Sequence, residues 1–114
     1  MTEAPDTLDD DKAANVIPLE LVAKEGGLSV MQGIRDGRLP GPNMGKTLNF
    51  RLSKVEEGMV VFTGTPTVDH LNPLGTIHGG WAATIMDSAL ACAVMTTLAP
   101  GEGYTTVEFK LNLT

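Results

Sequence analysis

Aromatic residues are scarce in this chain, cysteine is nearly absent, and no stretch is basic. With 4% aromatic residues, the core must be aliphatic and methionine-bearing, with Trp81, Phe50, Phe62 and Phe109 as its few large pieces. A single cysteine, Cys92, excludes a disulfide framework. Together with two histidines it offers too few ligands for a zinc cluster, so no metal site is expected. The lack of a basic patch argues against nucleic acid as a partner. The N-terminus lacks the basic-then-apolar order of a signal peptide, which makes a cytoplasmic location the default.

What is present is 114 residues, enough for one domain, with 42% hydrophobic and 19% charged residues, an ordinary globular composition. The net charge of −6 is unevenly spread. Glu3, Asp6, Asp9, Asp10 and Asp11 fall within the first eleven residues, and from Lys12 onward nine acids face eight bases. Residues 1–16 are therefore expected to be a disordered acidic tail, and the body is close to neutral.

Residues 17–46 read as N-terminal helices and a loop. Pro18 to Lys24 and Leu28 to Asp36 are short helices separated by Gly26-Gly27, and Gly37 to Gly45 is an irregular connection. From Thr47 the period becomes two: Leu48, Phe50 and Leu52 alternate with polar residues, Glu56-Glu57-Gly58 turns, and Met59 to Thr67 returns as a second strand. Pro66 places the end of that strand at an edge or a bend. Residues 69–80 form a turn-rich loop. Gly79 to Ala99 follows with one charge, Asp87, and reads as a helix apolar on nearly every side, hence buried. A membrane span is the competing reading, weakened by the aspartate near its midpoint and by its many Ala, Thr and Gly residues. Pro100-Gly101-Glu102-Gly103 ends the helix, and Val107, Phe109, Leu111 and Leu113 alternate with polar residues as a half-buried strand.

Two features carry chemistry. A carboxylate on an apolar helix is paired, protonated or turned to a cavity, so Asp87 is a candidate catalytic group; the plainer alternative is an acid on an exposed strip or capping a loop. His78-Gly79-Gly80 opens the helix, where free N–H groups make an oxyanion site. The plainer alternative is glycine for turn geometry and His78 as a cap. Asp87 lies nine residues after His78, a rise of roughly 13 Å and half a turn out of phase. One small reacting group cannot touch both from one chain, so a shared site needs the helix start of one subunit and Asp87 of another, as a symmetric dimer provides.

Asn72-Pro-Leu-Gly75-Thr-Ile-His78-Gly79-Gly80, with Asp87 nine residues after the histidine, resembles the signature of PaaI-type hotdog-fold acyl-CoA thioesterases. Thr105-Thr-Val-Glu108-Phe-Lys-Leu-Asn112 resembles the strand after the central helix in that family. The resemblance runs from about Leu28 to Thr114. It implies an α+β hotdog fold, an antiparallel sheet wrapped around a long central helix, with residues 47–114 as a partial domain. It implies Asp87 as general base on water or direct nucleophile, and the Gly79 N–H as the donor that polarises the thioester carbonyl. Asn72 and His78 would be loop residues orienting the nucleophile and shaping the oxyanion end, and Thr106 a water-positioning hydroxyl. The substrate would be an acyl-CoA or aryl-CoA thioester, with no metal and no cofactor beyond coenzyme A as part of the substrate, in a homodimer or homotetramer. The alternatives within the same fold are a non-catalytic acyl-thioester-binding or interaction protein, and a dehydratase or hydratase, whose local motifs are not found here.

The family continues past this strand with a turn and further strands. The sequence is accordingly expected to lack part of its sheet and to be unstable or aggregating alone unless Gly79–Ala99 is covered.

Overall fold

A computed structural model describes residues 16–114. The expected acidic tail, residues 1–16, lies outside the described residues except for its last position.

Three short helices come first. Helix α1 spans Leu19–Glu25, and Pro18 stands just before it with φ −60°, its carbonyl accepting from the Leu21 and Val22 amides. Gly26, at φ +81°, turns the chain directly into α2, Gly27–Asp36. Gly37 ends α2 in the left-handed conformation, φ +80°, where glycine carries no Cβ penalty. A third helix, α3, covers Asn43–Leu48 after Pro42. This corrects the expected irregular connection through Gly45 and a strand from Thr47. Proline placed just before a first helical turn is compatible with helix, and the glycines and prolines of 37–45 masked that start.

Asn49, at φ +57°, breaks α3 and leads into β1, Phe50–Glu56, which pairs antiparallel with β2, Met59–Gly64. The turn falls at Glu57-Gly58 as expected, with Gly58 at φ +78°. β2 is shorter than the expected Met59–Thr67 and ends before Pro66. A bulge at Ser53 shifts the register: Leu52 faces Phe62, but Lys54 faces Val61. The extra residue turns Val55, not Lys54, to the inner face alongside Phe50 and Leu52. Phe50 and Phe62 meet edge to face at 5.8 Å.

The core lies between α2 and this hairpin, where Val30, Met31, Leu52 and Val55 are buried together. After β2, a 3₁₀ turn over Val68–His70 and a loop lead to α4, Gly79–Met95. The helix ends four residues before the expected Ala99. Thr96 and Thr97 turn their hydroxyls onto the carbonyls of Ala93 and Val94, at 2.6 and 2.7 Å, and the following amides bond three residues back, tightening the chain out of the helix.

Two expectations fail here. Helix α4 has no buried residue, because the two-stranded sheet covers it from one side. Met86, Leu90 and Val94, at helical spacing, stay exposed. Residues 102–114 form neither helix nor strand, so the strand expected over Val107–Thr114 is absent. A strand requires a hydrogen-bonding neighbour, and among the described residues none lies beside this segment. The architecture is therefore α+β, as expected, without an enclosing sheet. Among the described residues, no helix is long and apolar enough to cross a membrane.

Candidate active site

The loop between β2 and α4 is built by its own polar side chains. The buried His70 ring accepts the Thr67 amide at Nδ1 (2.9 Å), which leaves Nε2 to donate to the Thr47 carbonyl at 3.1 Å. The His70 carbonyl in turn accepts the His78 amide at 2.8 Å, closing the base of the loop next to a Leu71–Ile77 bridge. Asn72 fills the loop interior. Its Oδ1 accepts the Leu74 and Thr76 amides (2.9 and 3.2 Å), and its Nδ2 donates to the Thr76 hydroxyl at 2.7 Å. Asn72 thus organises the turn, and none of these bonds reaches Asp87.

His78 occupies the N-cap of α4, and its Nδ1 accepts the Gly80 amide at 2.8 Å. That is the capping alternative weighed from the sequence, and it occupies one of the free donors at the helix start. The Gly79 N–H has no partner among the described residues and stands at the positive end of the helix. The Leu113 side chain covers the Cα of Gly79 so closely that a Cβ added there would stand 3.0 Å from Leu113 Cδ1.

Asp87 sits half-buried near the middle of α4, and the Thr106 hydroxyl donates to its Oδ1 at 3.0 Å. Two positions 19 residues apart, both named as candidates from the sequence, therefore meet. Segment 102–114 passes over the helix from Asp87 to its start, where Leu113 rests. Asp87 and Gly79 lie eight residues apart on one unbroken helix, a rise of about 12 Å, so they do not converge within one chain. The five candidates accordingly divide into two places. Asp87 and Thr106 meet at mid-helix, while Asn72, His78 and Gly79 gather at its start.

The surroundings of Asp87 hold two groups that the sequence did not single out. Burial pushes the Cys92 thiol up to about 11, with a further push from the Asp87 charge. Tyr104 is raised to about 12, first by burial and then by Cys92 and Asp87. Both stay protonated near neutrality and leave Asp87 without a competing anion. Nothing in the spacing of Tyr104 announced this, because its approach depends on the length of the turn after α4. Trp81 is anchored rather than open: its indole N–H donates to the Leu48 carbonyl at 2.7 Å, tying the first turn of α4 to the end of α3.

Among the described residues, no group of three His, Cys, Asp or Glu side chains is placed to hold a metal ion. Residues 74–113 match the family model of the Thioesterase superfamily, a stretch that holds four of the five candidates and stops short of Asn72. No curated protein and no solved structure matches the chain. The class of chemistry indicated is therefore thioester hydrolysis or binding. Within the matched stretch, the Asp87 carboxylate on α4 and the Thr106 hydroxyl that donates to it form the one hydrogen-bonded pair among the candidates.

Proposed function

We propose that the chain hydrolyses an acyl-CoA or aryl-CoA thioester to the free acid and coenzyme A, in the manner of the PaaI-type hotdog thioesterases. Asp87 acts as general base on water or attacks the carbonyl directly, and Thr106 holds the carboxylate in place or positions the water. The observation that carries the reading is the hydrogen bond from Thr106 to Asp87 on a helix otherwise free of charge. The uncommitted Gly79 N–H supports a role as oxyanion donor, and a donor of that kind contributes roughly 3 kcal/mol to the transition state. His78 and Asn72 support it indirectly, one by capping the helix and the other by shaping the loop that presents it.

The rise of about 12 Å between Gly79 and Asp87 makes each complete site a joint product of two copies. Gly79 of one subunit faces the carbonyl that Asp87 of another attacks. A homodimer satisfies this twice, and a homotetramer repeats it.

Release of free thiol from a panel of acyl-CoA and aryl-CoA substrates tests the reaction. Loss of turnover in Asp87→Ala, with the fold retained, supports the assignment. Binding of a thioester with no release by the unaltered chain would contradict it and favour a non-catalytic acyl-thioester-binding protein.

A further inference from the structure

A cleft of about 420 Å³ lies between the N-terminal helices and α4, within the range of cavities that take small organic ligands. Its walls are mostly apolar, with Asn43 and Ser88 as polar exceptions beside Asp87, and come from three parts of the chain. Ile17, Met31 and Ile34 belong to the N-terminal region, Leu52 and Phe62 to the sheet, and Ala91 to α4. Asp87 lies on the same wall as Ala91, one helical turn away, so the cleft starts at the carboxylate that Thr106 holds. Among the described residues, Asp87 is the one acidic or basic side chain lining it, and Cys92, which also lines it, is kept as a neutral thiol.

We propose that this cleft seats the acyl part of the substrate and that it selects an uncharged, apolar acyl chain. The proposal rests on the reading of Asp87 as the group that acts on the thioester. An apolar chain laid along Ile34, Met31 and Phe62 leaves water, whereas an acyl group ending in a second carboxylate would enter a mostly apolar cleft with no cation among its described walls and with Asp87 at its edge. Five of the residues that shape the cleft, Ile17, Met31, Ile34, Leu52 and Phe62, precede residue 74, so much of the selectivity resides outside the family-matched stretch, with Ala91 contributing from within it.

The test is thiol release by the full chain from straight-chain acyl-CoA substrates of two to twelve carbons, with hexanoyl-CoA set against adipoyl-CoA. The expected result is a rise in kcat/KM of about fourfold per methylene up to a plateau, and at least tenfold preference for hexanoyl over adipoyl. Ala91→Phe, which fills the cleft, moves the plateau to shorter chains. Ile34→Ala, which enlarges it, moves the plateau to longer ones and serves alone if the bulkier variant does not fold. A flat chain-length profile, equal rates for hexanoyl and adipoyl, or a plateau that neither variant moves overturns the proposal.

Calorimetric binding of non-hydrolysable S-alkyl coenzyme A thioethers separates this from failure of the catalytic reading. Chain-length-dependent binding that responds to Ile34→Ala, without turnover of any thioester, rejects hydrolysis and keeps the cleft. Turnover without chain-length dependence rejects the cleft and keeps hydrolysis. Absence of both binding and turnover overturns the cleft as well.

Discussion

The chain before Thr65 and the chain after Thr67 are built on different principles. The first part holds every buried hydrophobic residue of the described chain: Val30, Met31, Phe50, Leu52 and Val55. The second holds all five candidate site residues, yet its buried residues are His70 and Thr96, both polar. The first part is held by packing, while the second lays Cys92 and Met95 against that core and is otherwise tied by a few hydrogen bonds. His70 fastens the loop to α3, Trp81 fastens the start of α4 to the same helix, and Thr96 accepts the Gly58 amide at 2.7 Å to fasten the end of α4 to the hairpin turn. A hydrogen bond contributes about 0.5–1.5 kcal/mol net, less than the burial of one large side chain. The candidate site residues therefore lie in the part with less buried packing, and the more tightly packed part lies ahead of the thioesterase match.

Substitutions can break or sharpen this contrast. Leu52→Ala should have the largest effect on stability, costing about 2–5 kcal/mol by leaving a cavity under α2, measured by chemical denaturation. Gly27→Ala comes next. A Cβ there would collide with the Met95 carbonyl oxygen, where the Gly27 amide already donates to the Leu98 carbonyl at 3.0 Å, so α2 must move off the end of α4. The expected loss is about 1–3 kcal/mol, with hydrogen exchange in α4 rising before that in the hairpin. Trp81→Phe keeps the ring and loses the bond to Leu48, costing about 1 kcal/mol and loosening α4 more than the sheet. Leu90→Ser, on the exposed stripe with Met86 and Val94, should change stability by less than about 0.5 kcal/mol and weaken self-association in sedimentation velocity. If Leu90→Ser destabilised as much as Leu52→Ala, the two parts would not differ as described.

The sequence was informative where local chemistry decides and uninformative where partners decide. Helices α1 and α2, the Glu57-Gly58 turn and the entry to α4 follow from proline, glycine and apolar spacing, which act within a few residues. Helix α3 was hidden because Pro40, Pro42, Gly41 and Gly45 read as punctuation, although proline is compatible with a helix start. The bulge at Ser53 left no mark in a simple alternation, so Val55 could not be recognised as core. The alternation of Val107 to Leu113 was real in the sequence, but a strand needs a neighbour to pair with.

At the site, Asp87 and Thr106 were each named through family resemblance without their contact being foreseen, and the separation of the helix start at His78 from Asp87 came from helix geometry. His78 had two readings from sequence, and the bond to Gly80 supports the cap. His70, Tyr104 and the anchoring of Trp81 depend on tertiary contacts that no spacing announces.

The central claim is that Asp87 performs chemistry on a thioester. Its most direct test compares the unaltered chain and Asp87→Ala in thiol release from acyl-CoA substrates, with circular dichroism confirming that both fold alike. The claim predicts a fall of about 10²–10⁴-fold in turnover, the range associated with loss of a positioned base. Equal turnover by the two proteins would contradict it.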